Sequence, residues 1–489
     1  MSTRATRHTR CLVGAQGAAS TGHPLATSAA LRTLDRGGSA VDAAIAAQAV
    51  ICTVMPQAAG LGGDVLALVH RAGRVTAVNG TGCSPRRAPT AYTTDGGASV
   101  TAPGIVDGWL TAHRAFGRLS LAEILQPAVR LADKGYAVDD QLARAVADQR
   151  TRISQYGCGA WELLGLEAGN TWRQPELASL LTAIASQGRA AFYAGQAASA
   201  IANAVAAQGG SLDVSDLADH ETVVCDPVQT AWAGSTLSAQ PPSTQGALLA
   251  MAARWLDSAE GVTPQNLQHV LVELTEAVFA HRADAAADPD LLERPLEVDR
   301  VRAQNRGGPR AYLHTAGAAV ADADGMVVSS LLSVFDDFGS GVFVPELGLV
   351  LNNRGAGFTY GANAAGPGKR PVHTLAPALL TQPNGDVLAL ATPGADGQIQ
   401  TLLQVLARMR FGGLSLSEAL TAPRWRSQDG DLLIESDHED RSDLADRGHH
   451  VALRPAGDDL FGAVVAAGIS AHHPFAASDW RRCVTTGVT

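Results

Sequence analysis

Thr315 is the residue best placed to do covalent chemistry. It is followed by Ala316, Gly317, Ala318 and Ala319, all small, at the edge of an apolar segment that turns back on itself. A threonine hydroxyl inside a chain is a poor nucleophile. At the first position of a chain it has an α-amino group beside it, with a pKa near ~8, which can take the hydroxyl proton directly or through a water. No separate histidine is then needed. A precursor is therefore expected to be cut between His314 and Thr315, and the new N-terminal threonine to attack a carbonyl. The competing reading is that Thr315 is an ordinary strand residue of an uncut, non-catalytic protein.

The elements around it can be read locally. Residues 311–341 form a hairpin: Val320–Ala321 lead into Asp322-Ala323-Asp324-Gly325, a turn signal, and Met326–Val334 return as a second strand. Residues 289–310 carry Arg, Pro and Gly with little apolar period, and read as an exposed linker in which a cut is sterically possible. Upstream, residues 22–54 are helical, broken at Gly37-Gly38 and capped again at Ser39. Gly60-Leu61-Gly62-Gly63-Asp64 precedes two buried strands joined at Ala72-Gly73. A glycine cluster of this kind is more often a turn than a site. Ser120 with Glu123, and Ser415 with Glu418, read as capping boxes. Strand-like segments at 347–352, 374–381 and 386–392 precede a helix over 394–408. Helices and strands thus lead into a β-rich block flanked by helices, which predicts an α+β layered fold with two sheets and helices outside.

Composition narrows the function. The chain has 489 residues, 46% hydrophobic and 17% charged, enough to bury a sizeable core. Its 37 basic and 47 acidic residues leave a net charge of −10, which gives no general reason to bind nucleic acid or an anionic membrane. No apolar run approaches the ~20 residues of a membrane span. The basic N-terminus lacks an apolar core, so residues 1–20 are expected to be a disordered arm on a cytoplasmic protein. The six cysteines have no CxxC spacing and read as reduced, mostly buried residues. The 14 histidines show no HExxH and no visible zinc ligand set. No metal or cofactor is expected.

Several long motifs in order carry a family resemblance over residues 20–485: GHPLATSAALRTLDRGGSAVDAAIAA, MPQAAGLGGD, PPSTQG, DFGSG, LNNRGAGF, GKRPVHTLAP and APRW. The chain resembles the γ-glutamyltranspeptidase family of N-terminal-nucleophile hydrolases. The resemblance implies a four-layer αββα sandwich and a precursor that cleaves itself. The products would be a large fragment, 21–314 beyond the arm, and a small one, 315–489. These would stay together as a heterodimer, with a dimer of heterodimers also open. It implies Thr315 as nucleophile and Ser333 as the hydroxyl that orients it. It also implies Gly394-Ala395 as the turn whose N–H groups hold the oxyanion.

The same comparison argues against a γ-glutamyl substrate. In that branch an LNNxMDDF-like motif supplies an acid for the substrate ammonium, whereas here the acidic positions are Ala356 and Gly357. Its RExAP arginine falls at Pro85 in Pro85-Arg86-Arg87-Ala88-Pro89, leaving Arg87 as a nearby basic candidate. Its paired serines are His373-Thr374, and its strand asparagine is Phe335. Arg354 replaces the lost clamp with a cation suited to a carboxylate. Alternatively, Arg354 pairs with Asp336 or Asp337. Asp396 is either a site carboxylate or a charge placed at a helix N-terminus. The pattern resembles the oxamate amidohydrolase-like branch, which implies hydrolysis of a small amide next to a carboxylate. A γ-glutamyl hydrolase or transpeptidase, and cleavage of an activated C–C bond releasing an oxalyl-type fragment, remain alternatives.

Overall fold

A computed structural model describes residues 9–87, 92–288, 290–308 and 315–489. The expected cut site at His314 lies outside the described residues. Two antiparallel seven-stranded sheets form the centre. The first runs, edge to edge, Thr485–Val488, Gly17–Thr21, Ala316–Asp322, Val327–Ser333, Asp64–Arg71, Arg74–Asn79 and Val223–Cys225. The second runs Leu12–Val13, His473–Ser478, Val465–Ser470, Val387–Ala391, Ala378–Thr381, Ser235–Ala239 and Val228–Trp232.

The layering follows from alternation along the strands. In Asp64–Arg71, Leu66 and Leu68 face the other sheet, where they join Leu331, Leu379, Ala389 and Val465. Val65, Ala67 and Val69 face outward onto helices Pro24–Asp35, Ala40–Val54 and Ile105–Phe116. In Val387–Ala391 the odd residues face inward, while Leu388 and Leu390 pack on helices Gly246–Ser258, Leu267–Phe279 and Gly397–Phe411. The result is the expected four-layer αββα sandwich. Small residues let the helices sit close: every residue of Ala40–Val54 is buried, and seven of the fifteen are Ala or Cys.

Local signals hold well. The strands flanking Asp322-Ala323-Asp324-Gly325 pair from Ala316↔Leu332 to Ala321↔Val327, and Gly325 takes the left-handed conformation at φ 82°. Ser39 forms a capping box with Asp42, as do Ser120 with Glu123 and Ser415 with Glu418. One expectation fails. The N-terminal arm is structured well before residue 20: Leu12–Val13 pairs with Phe475 and Ala476, and Gly17–Thr21 is a buried strand inside the first sheet. Gly-Ala-Ala-Ser-Thr has no apolar period to reveal it, because its own side chains are small or polar although all five residues are buried. Segments 9–308 and 315–489 each contribute strands to both sheets, so position 315 divides no structural domain.

Candidate active site

Thr315 lies at the start of Ala316–Asp322 in the first sheet and is only 4% exposed. Its Oγ is 3.5 Å from the Ser333 Oγ on the neighbouring strand, and the Ser333 hydroxyl accepts from the Phe335 N–H at 2.9 Å. Thr315 and Pro393 line one cavity of about 20 Å³, with Gly22, Gly317 and Arg482, which is room for about one water. Pro393 leads directly into the predicted oxyanion turn. Gly394 (φ 127°) and Ala395 (φ 47°) both have positive φ, and for Ala395 that conformation is strained. The turn is held by its carbonyls. Gly394 O accepts from Gly397 N–H at 2.7 Å and from the Arg426 guanidinium at 3.2 Å, and Ala395 O accepts from Gln245 Nε2 at 2.8 Å. Among the described residues no acceptor takes the N–H of Gly394 or Ala395, which leaves both donors for a ligand.

Asp64 lies beside Ser333, as its register partner across the strand pair. The preceding glycines bring it there. A Cβ on Gly63 would stand 2.3 Å from Ser333 O, and one on Gly62 would stand 2.1 Å from Val350 O. The Gly60–Asp64 run is therefore part of the site's frame. Asp64 is fully buried and accepts from Gly82 N–H (3.1 Å), Arg354 Nε (3.4 Å) and His373 Nε2 (3.3 Å). Burial alone would raise its pKa, but the His373 hydrogen bond and the nearby positive charge outweigh burial and hold the carboxyl below its usual range. His373 is pushed down to about 4 by burial and by Arg354, so its imidazole is neutral. Its Nδ1 accepts from Leu375 N–H at 3.1 Å, which leaves the proton on Nε2 to be donated to Asp64.

These contacts bear on two expectations. Arg354 and His373 were expected to meet a substrate. Both are fully buried and donate to Asp64, an acid 290 positions away for Arg354, while Arg354 Nη2 has no partner among the described residues. Arg354 pairs with neither Asp336 nor Asp337 as first partner. Its Nη1 donates to Thr374 Oγ1 at 3.4 Å, its guanidinium lies 4.3 Å from the centre of the Phe335 ring, and burial lowers its pKa to about 10. Arg354, His373 and Thr374 thus form a charged support behind Phe335. Gln245 extends that support by donating to both Thr374 O and Ala395 O.

Phe335 itself faces a larger cavity of about 380 Å³, whose wall includes Ala356, Gly357, Asp396, Arg282 and Arg306. Its backbone is left-handed at φ 84°, which turns the ring away from the line of the strand. Asp396 is paired with Arg282 at 3.0 Å, so the helix-terminus position and the site-wall position are both occupied by one ion pair. No described residue takes the Nη groups of Arg282. Arg87 lies elsewhere. It is exposed, its carbonyl accepts from the Ser211 hydroxyl, and it lines neither cavity. Sequence reasoning missed Asp64, Gln245 and Arg282. The LGGD and PPSTQG motifs were visible, but the contacts that give these residues meaning span more than a hundred positions.

A sandwich of two antiparallel sheets between helices, with a threonine beginning a central strand, is the architecture of the N-terminal-nucleophile hydrolases. The γ-glutamyltranspeptidase family profile matches residues 26–487, and the chain belongs to that family. It is accordingly an enzyme of the hydrolase and transpeptidase type. It is 31% identical to a glutathione hydrolase-like YwrD proenzyme of Bacillus subtilis, over 91% of this chain and 93% of that protein. It is 33% identical to the oxamate amidohydrolase proenzyme of Klebsiella pneumoniae, over 84% of this chain and 85% of that one. The crystal structure of a cephalosporin acylase from Bacillus halodurans superposes with a TM-score of 0.88 at 26% identity, covering 100% of this chain and 98% of that one.

Proposed function

We propose that the protein is a self-processed amidohydrolase that acts on a small amide whose acyl part carries a carboxylate, with Thr315 as its N-terminal nucleophile. The observation that carries this reading is the buried Thr315 hydroxyl, 3.5 Å from Ser333, sharing a one-water cavity with the residue that begins the Gly394-Ala395 turn. Proenzyme relatives support processing.

In the uncut chain the Thr315 nitrogen is an amide and cannot act as a base. Cleavage after His314 frees the amine that activates the hydroxyl. Thr315 Oγ then attacks the substrate carbonyl and its proton passes to the amine. The N–H groups of Gly394 and Ala395 hold the developing oxyanion. The amine returns the proton to the leaving nitrogen as the C–N bond breaks, leaving an ester on Thr315. Water, deprotonated by the same amine, hydrolyses that ester. The two fragments remain associated as a heterodimer because both sheets contain strands from each.

The carboxylate preference rests on the 380 Å³ cavity. Ala356 and Gly357 replace acids on its wall, and Arg282 offers its Nη groups there. Arg282 takes the role first given to Arg354, and the oxamate amidohydrolase relative fits the same chemistry. The test is a substrate panel. The expected result is turnover of an oxamate-type amide with little release from a γ-glutamyl anilide. Clear anilide turnover without amide hydrolysis would overturn the substrate assignment, and the likeness to a glutathione hydrolase-like protein would then decide the class.

A further inference from the structure

Helix Leu267–Phe279 places His269 and Glu273 one turn apart on the same face. The turn before strand Val451–Arg454 adds His449, and its Nε2 lies 2.8 Å from His269 Nδ1, with the ring centres 5.0 Å apart. One ring nitrogen from each imidazole and one Glu273 oxygen all lie within 4.8 Å of one another. The three residues are 1%, 0% and 5% exposed. Glu273 Oε1 accepts from Gln304 N–H at 3.0 Å. Its Oε2 has no hydrogen-bond donor, and the Arg306 guanidinium stands off at 4.0 Å.

We propose that His269, Glu273 and His449 bind a zinc-class divalent cation, with water as the fourth ligand. Two imidazoles and one carboxylate suit zinc and its neighbours, whereas calcium and magnesium prefer shells built of oxygen alone. Ligands about 2.0–2.1 Å from a tetrahedral ion stand roughly 3.4 Å apart, so the rings must part by roughly half an ångström. The proton in the imidazole–imidazole contact must also leave the shared nitrogens. A tautomer change of the donor ring moves it to the other nitrogen with no net release. Asp299 and Asp443 act on the histidines in favour of a cation, while Arg447 and Arg306 oppose it. Arg306 is 29% exposed, and its Nη2 already donates to Glu297 O, so its side chain has room to turn outward.

The site sits where the segment leading to Thr315 docks. Ala303 N–H donates to Arg447 O, Asn305 Nδ2 donates to Gly448 O, and Arg306 N–H donates to Glu276 on the same helix. Gly307 and Gly308 then line the 380 Å³ cavity. A bound cation would pin this segment and the 447–450 turn to the helix. The ion's role is to clamp structure, and it takes no part in the reaction proposed for Thr315.

The test is zinc titration of untagged, chelator-treated full-length protein by calorimetry, with Co2+ as a spectroscopic probe. Expected are one Zn2+ per chain, a raised melting midpoint and visible absorption typical of four-coordinate Co2+. All three are expected to be lost in His269→Ala and His449→Ala. Glu273→Gln keeps an acceptor for Gln304 and guards against a folding artefact, and it is expected to bind at least ten-fold more weakly. No zinc bound by the wild type, or unchanged stoichiometry and affinity in these variants, would overturn the proposal.

Discussion

Ser333 and Asp64 face each other across the pair formed by Val327–Ser333 and Asp64–Arg71. The hydroxyl beside the proposed nucleophile therefore has, across the strand pair, a buried carboxylate that gathers Arg354, His373 and the Gly82 N–H. The site is a small reactive surface mounted on a charged core.

That core is expected to be costly to break. Asp64→Ala leaves the Arg354 charge buried without its acid, and about 3–5 kcal/mol of stability should be lost in chemical denaturation. Replacing both residues, as in Asp64→Leu with Arg354→Met, should recover a large part of that loss, because the uncompensated charge is gone. A single Asp64→Ala variant as stable as the wild type would contradict the arrangement.

Gln245 has a different expected effect. It touches no substrate in this account, but it holds Ala395 O and Thr374 O together. Gln245→Ala should let the Gly394-Ala395 turn drift from its donor geometry. A fall in kcat of about 10²-fold, comparable to loss of one oxyanion donor, is expected, with a smaller change in KM. Steady-state kinetics on correctly processed protein checks this.

Arg282 should act mainly on binding. Arg282→Ala is expected to raise KM for a carboxylate-bearing amide by about 10-fold or more, the scale of one charge-assisted contact. The uncharged analogue of the same amide should be much less affected. Equal losses on both substrates would remove Arg282 from the carboxylate site.

Asp336 gives a pH signature in stability. Burial raises its carboxyl to about 6, against the pull of the Asn353 amide and Arg152. The folded state thus holds this proton more tightly than the unfolded chain, whose value is near ~4. The group's favourable contribution is present at pH below that unfolded value and is lost as pH rises through about 6. Asp336→Asn keeps an acceptor for Asn353 and removes the ionisation. Relative to the wild type, the variant should gain about 1–2 kcal/mol between pH ~4 and ~7, discounted for partial exposure. Denaturation curves at both pH values measure the difference.

What the sequence made legible was local. The hairpin at 316–333, the Ser39, Ser120 and Ser415 caps and the turn at Ala72-Gly73 all follow from neighbours a few residues apart. The motifs pointed to Thr315, Ser333, Phe335 and the 394–395 turn; in the fold Thr315 stands 3.5 Å from Ser333 and shares a small cavity with Pro393, and Phe335 lines the larger cavity. The partner of Arg354 was invisible because Asp64 is 290 positions away and is delivered by sheet register. Gly17–Thr21 lacked any apolar signature although it is a buried strand. His269 and Glu273 share a helix face without HExxH spacing and need His449, 180 positions beyond His269, to form a ligand set.

Catalysis as proposed requires that Thr315 become a chain terminus. N-terminal sequencing and intact mass of the purified protein test it directly. Expected are a fragment spanning 315–489 that begins with a free Thr315, and a single uncut chain in Thr315→Ala. A wild-type protein that remains one chain, or a small fragment that begins at another residue, would contradict it.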